Sequence, residues 1–256
     1  MSKLYPATGF AQLLPEGGVL CDTADKRFPL GGMVMDVYGN FFRYVQASEA
    51  IAVGELVTCV PLTTFDTTVV VDGAIVANTT NKLHIDTLTT AVTAGQYNDY
   101  FIAQAVAAGK GRLYRIVGHP AIAATTGEGD LTLAEDMTEA FADGTALEIV
   151  NPYYVELCDG ATDTIAGVAV GTITIAQYGF VQVGGVHNGV LCDGSNGTAI
   201  VLNETVSSYG TDPGQGQGYA TADEAGDIEV ANSPLLAMQD SAIDAGYVPC
   251  KFSRIV

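Results

Sequence analysis

The sequence predicts an all-β protein: one or two small β-barrel or β-sandwich units, an extended N-terminal arm and very little helix. Three observations predict it. The 256 residues are 48% hydrophobic but only 8% aromatic, with no Trp and with 30 Gly, so the apolar fraction is mostly Ala, Val, Ile and Leu. Charged residues make up only 15%, against roughly 25% in an ordinary globular domain. Low charge with abundant Val, Thr and Gly suits sheets joined by tight turns. Finally, apolar runs are short and are interrupted by Gly, Pro, Asn and Asp, whereas helical spacing is scarce.

The elements follow in order. Residues 1–30 carry Pro6, Pro15, Pro29 and Gly17-Gly18, which predicts an extended arm with at most a short strand at 18–21. Strands are expected at 33–37 and 41–45 around the turn Tyr38-Gly39-Asn40, and at 55–60 before Pro61. The Asp72-Gly73 pair suits a hairpin joining 67–71 to 74–77. Residues 83–88 alternate, and 100–106 pairs with 112–117. Further strands are expected at 146–150, 153–158, 165–170, 172–176, 180–183, 189–192, 198–202, 227–231 and 247–255. Leu133, Met137 and Phe141 predict a two-turn helix over 133–141, and Pro234–Met238 a further helical turn.

Three parts are expected: an arm at 1–30, a first β unit with a hairpin insertion at 31–122, and a second, acidic β unit at 123–256. The formal net charge is −19, and no Lys or Arg occurs between Arg115 and Lys251, a stretch with nineteen acids. Free nucleic acid is excluded as a partner, because phosphate binding needs a basic surface. The acidity reads either as a solubility device that keeps copies apart or as one face of a two-sided molecule, acidic toward solvent and balanced where it docks. Two motifs recur. Leu-Cys-Asp ends at Asp22, Asp159 and Asp193, and Tyr44-Val45-Gln46 returns as Phe180-Val181-Gln182.

Five Cys at wide spacing form no CxxC, which points to reduced, buried thiols in a protein made in a cytoplasm. The N-terminus has no apolar signal-peptide core, and no run approaches the roughly 18 apolar residues of a membrane span. His84, His119 and His187 show no HxH or HExxH spacing, and His84 has no Cys or carboxylate at local ligand spacing. No GxSxG elbow or phosphate-binding loop is present. The reading is therefore of no catalytic, cofactor or metal residues. Acidic groups at Glu135-Asp136-Glu139 and Asp223–Glu229 read as solvated faces. Asp159–Asp163 and Asp223–Glu229 are minor candidates for calcium.

The succession Phe-Arg-Tyr-Val-Gln-Ala-Ser (42–48), Ala-Gly-Gln-Tyr (94–97), Gly-Lys-Gly-Arg-Leu-Tyr-Arg-Ile-Val-Gly-His-Pro-Ala (109–121), Asn-Pro-Tyr (151–153), Tyr-Gly-Phe-Val-Gln-Val-Gly-Gly (178–185) and the closing 244–252 resembles β-rich virion proteins of tailed phages infecting aquatic bacteria. The resemblance implies a capsid decoration or cement protein, located on the virion, that binds the major capsid protein. The resemblance offers no catalytic residues. Small apolar side chains and edge strands favour strand addition and oligomer packing, and a homotrimer is expected. Lys26, Arg27 and Phe28 are the candidate capsid contact, with an ordinary polar turn as the plain alternative. Competing readings are a tail, collar or fibre-base component that binds host glycans through an aromatic patch near Tyr209 and Tyr219, and a polysaccharide-degrading enzyme with two converging carboxylates.

Overall fold

A computed structural model describes residues 4–6, 18–59, 69–87, 91–104, 113–124, 126–150, 157–158, 165–192, 202, 205–208, 215–219, 235–238 and 246–252. Among them the chain is nearly all β, with a single three-residue 3-10 turn at Gly18–Leu20. It divides into two compact units, Met1–Val60 with Tyr153–Val256, and Pro61–Pro152. This corrects the division expected at 30 and 122. The chain leaves one sheet after β4 (Leu56–Cys59) and returns to pair both β11 (Leu157–Cys158) and β12 (Ile165–Ala169) with that same strand. The intervening residues fold as a unit of their own.

In the first unit a seven-stranded antiparallel sheet also contains β1 (Leu4–Pro6), β2 (Met33–Asp36), β3 (Phe41–Gln46) and β13 (Tyr178–Gly184), in the order β1-β2-β3-β13-β12-β4-β11. The two copies of the aromatic-Val-Gln motif fall on the neighbouring strands β3 and β13. Tyr44 stands opposite Phe180, with ring centroids 5.0 Å apart. Every residue of β12 is buried, as expected of a strand covered on both faces. Burying each such Val or Ile contributes roughly 1.5–3 kcal/mol.

The same unit holds a closed barrel of β14 (Val186–Cys192), β15 (Thr205–Ser208), β16 (Gly216–Tyr219), β17 (Leu235–Ala237) and β18 (Gly246–Phe252). One hydrophobic cluster joins barrel and sheet. Val190, Cys192, Val206, Leu235, Val248 and Cys250 pack with Leu56, Ile165 and Val168. The connection between the two is the single residue Gly185, at φ +90°, where a Cβ would lie 2.3 Å from Asn40 Oδ1. Only glycine fits there.

Of the arm expected at 1–30, the described residues 4–6 and 18–30 are integral to this unit. β1 pairs with β2 in the same chain, and Cys21, Phe28 and Leu30 are core residues. Phe28 is 3% exposed and packs edge-on against Tyr44 and Phe180. As a capsid contact it is therefore corrected, since a side chain held among two aromatic rings is not available to a partner. Lys26 and Arg27 are exposed, and Arg27 bonds Asp25 at 3.3 Å.

The second unit is a six-stranded antiparallel sheet of β5 (Val70–Val71), β6 (Lys82–Asp86), β7 (Phe101–Gln104), β8 (Leu113–Gly118), β9 (Glu128–Leu133) and β10 (Leu147–Val150), ordered β10-β7-β8-β9-β6-β5. Its two edges meet. Val70 bridges Ala146, Leu147 N donates to Val69 O at 2.9 Å, and Val71 N donates to Thr145 O at 2.9 Å. The sheet thus curls into a barrel-like body. Leu83, Ile85, Ile102, Ile116, Leu131, Leu147 and Ile149 are buried in it.

Several expected elements differ. The 67–77 hairpin does not form, because β5 pairs with β6 and Ile75 bridges Phe141. The 133–141 helix is absent as well. Met137 N donates to Thr80 O and Phe141 N to Ile75 O, so these donors are committed across the chain rather than to the preceding helical turn. The i, i+4, i+8 spacing records three buried side chains, not a helical face. Residues 235–237 are strand rather than helical turn, and 172–176 contributes one bridge, Ile173 to Ile51. The strands expected at 198–201 and 227–231 lie outside the described residues. Among the described residues no helix is long and apolar enough to cross a membrane.

Candidate functional site

Two places gather chemistry-bearing side chains, one in each unit. In the second unit β6 alternates. Leu83 and Ile85 point inward, leaving Lys82, His84 and Asp86 on the outer face. β9 sets Asp130 directly opposite His84 and Glu128 opposite Asp86, while Asp72 follows β5 and its N–H bonds His84 O at 3.0 Å. His84 Nδ1 lies 2.8 Å from Asp130 Oδ1, and Nε2 lies 3.1 Å from Asp72 Oδ2. The hydrogen bond to Asp130 raises the His84 pKa above its ordinary value. Burial opposes it, and the charges of Asp130, Asp72 and Glu128 add to it. Local spacing missed this cluster because its carboxylates come from neighbouring strands.

In the first unit a cleft of about 570 Å3 opens where β14 meets the sheet. Its polar lining is Asp36, Asn40, Gln182, His187 and Asn188. Asp36 organises the β2–β3 turn: its carboxylate accepts from Tyr38 N at 2.8 Å, Asn40 N at 2.9 Å and Asn40 Nδ2 at 2.8 Å. Asn40 Oδ1 in turn accepts from Val186 N at 2.9 Å. Gln182 is buried and donates to Gly184 O.

His187, expected in a turn, lies within β14, where the register shifts against β18. Its Nδ1 accepts from Gly189 N at 3.2 Å. Burial pushes its pKa down to about 4, so the ring is neutral at physiological pH. Leu20, Val53, Val186 and Tyr247 line the same cleft yet remain exposed. The Tyr247 ring lies over the backbone of Gly54, where at φ +82° an added Cβ would sit 2.6 Å from it.

The remaining candidates serve the fold. His119 accepts from Tyr97 N at 2.9 Å through Nε2, lies 2.8 Å from Pro120 O through Nδ1, and stacks on Tyr97. Arg115 pairs with the buried Asp99. Cys21, Cys192 and Cys250 are buried free thiols whose pKa values burial lifts to about 11, 12 and 12. Asp159–Asp163, Tyr209 and Asp223–Glu229 lie outside the described residues.

No family model, curated protein or solved structure matches the chain.

Proposed function

We propose that the chain is a virion structural protein, a capsid decoration or cement protein that binds and reinforces a major capsid shell. One observation carries the docking part of this reading. Four exposed large apolar side chains, Leu20, Val53, Val186 and Tyr247, ring a single cleft of the first unit. Leu20 is 63% exposed and Tyr247 57%. Large apolar groups gathered at one concave place favour a protein partner that covers them. The capsid assignment itself rests on the ordered motifs that resemble phage virion proteins. The contact surface moves accordingly from residues 26–28 to this rim.

The charge-based orientation changes too. Eighteen acids against six bases fall in the first unit and eleven against four in the second, so both are acidic. The acidity then serves to keep free copies apart, and docking geometry follows from the cleft. The test is binding of the purified chain to undecorated capsids. Leu20→Ser with Tyr247→Ser, folded by circular dichroism, is expected to weaken binding at least tenfold. Unchanged binding rejects the cleft as the contact.

A second reading has an observation of its own. An exposed Tyr that shares one cleft with amides, a carboxylate and a neutral His suits a sugar ring, which favours a tail or fibre-base component that binds host glycans. Saturable binding of host-surface glycan, lost in Tyr247→Ser, would favour it. The depolymerase reading needs two converging carboxylates in a cleft; the described lining of this one offers Asp36, and turnover on host polysaccharide would establish that reading.

A further inference from the structure

We propose that Asp72, His84 and Glu128 form a binding site for a divalent transition-metal ion on the outer face of the second unit. One ligand atom from each of these residues lies within 4.8 Å of the other two. The set is not a loose acidic patch, because consecutive paired strands fix it. His84 and Glu128 stand on the paired strands β6 and β9, and Asp72 is tied to β6 by its backbone N–H. His84 Nε2 and Asp72 Oδ2 are 3.1 Å apart, close enough for both to reach one ion at roughly 2.0–2.2 Å.

The orientation of the imidazole is the second argument. Nδ1 faces Asp130 Oδ1 at 2.8 Å, which leaves Nε2 turned toward Asp72. A ligating His characteristically donates its other ring N–H to a carboxylate, and that partner fixes the ring and raises its basicity. Asp130 is thus a positioning residue.

Mixed nitrogen and oxygen donors select zinc, nickel or cobalt over magnesium and calcium, which prefer oxygen alone.

The experiment is calorimetric titration of the full chain with Zn2+ at pH 7.5, alongside Ca2+. One saturable Zn2+ site per chain is expected, with Ca2+ binding at least tenfold weaker. His84→Gln should abolish the site, and Asp72→Asn or Asp130→Asn should weaken it roughly 10–100-fold. Zn2+ should also raise the melting temperature of the parent chain but not of His84→Gln. His84 is partly exposed, and the melting curve without metal verifies that the variant folds. Absence of saturable Zn2+ binding by the folded parent, or equal binding by His84→Gln, overturns the proposal.

Discussion

Asn40 Oδ1 accepts a hydrogen bond from Val186 N at 2.9 Å, tying the β2–β3 turn to the first residue of β14, 146 positions away. Asp36 holds Asn40 in place through both its backbone and its side-chain amide. Asp36→Asn sets one amide donor against another unless the ring of bonds rearranges. We expect a loss of roughly 1–3 kcal/mol, read from urea unfolding. Asn40→Ala removes the same link and should cost a similar amount. The double variant should lose less than the two single losses together, because the residues act as one unit.

Gly185→Ala tests the connection between sheet and barrel. The residue sits at φ +90° with Asn40 Oδ1 where a Cβ would go. The left-handed penalty together with a displaced Asn40 bond predicts destabilisation of roughly 2–4 kcal/mol. A Gly185→Ala chain as stable as the parent would contradict the local geometry.

His187 predicts an acid-sensitive first unit. Its folded pKa, about 4, lies below the ordinary 6.5. Below pH 6.5 the unfolded chain therefore binds a proton that the folded chain refuses. The stability tied to the neutral ring is fully present above pH 6.5 and falls as pH drops toward 4, by roughly 3 kcal/mol at most. The ring stands opposite Cys250 in the β14–β18 ladder and shares its cleft with Asp36. His187→Asn, which preserves an acceptor near Nδ1, should flatten the loss between pH 6.5 and 4. An equally steep loss in that variant would assign the acid sensitivity elsewhere.

Much of the fold was legible where one face of a strand is buried. β6 and β8 alternate, and β3 and the 113–118 pairing with 101–104 lie where the residues suggested. The helix expected at 133–141 failed because spacing records burial and not the partner of each N–H. Met137 and Phe141 bond backbone 57 and 66 residues earlier. The unit boundary was illegible for a related reason: pairing of β4 with β12 spans about a hundred residues, and no local pattern encodes it. The candidate sites behave likewise. His84 looked isolated in the chain, but its partners Asp72 and Asp130 arrive from 12 and 46 residues away. The one signal within reach was the outward position of His84 between inward Leu83 and Ile85.

The buried thiols make a simpler prediction. Cys21, Cys192 and Cys250 have pKa values lifted to about 11 and 12, so at pH 8 little thiolate is present and access is closed. In the folded chain these three should react with a disulfide reagent at least a hundredfold more slowly than after unfolding in guanidinium, where fractional thiolate and access are both restored. Fast labelling of Cys192 or Cys250 in native buffer, mapped by mass spectrometry, would mean that the barrel opens readily.

The proposed role, a decoration protein of a capsid, is put to the test by counting copies of this chain in virions purified from its source, by quantitative mass spectrometry against the major capsid protein. Hundreds of copies in a fixed ratio to the capsid subunit are expected, as repetition on a symmetric shell requires. A dozen copies or fewer, or none, would contradict it.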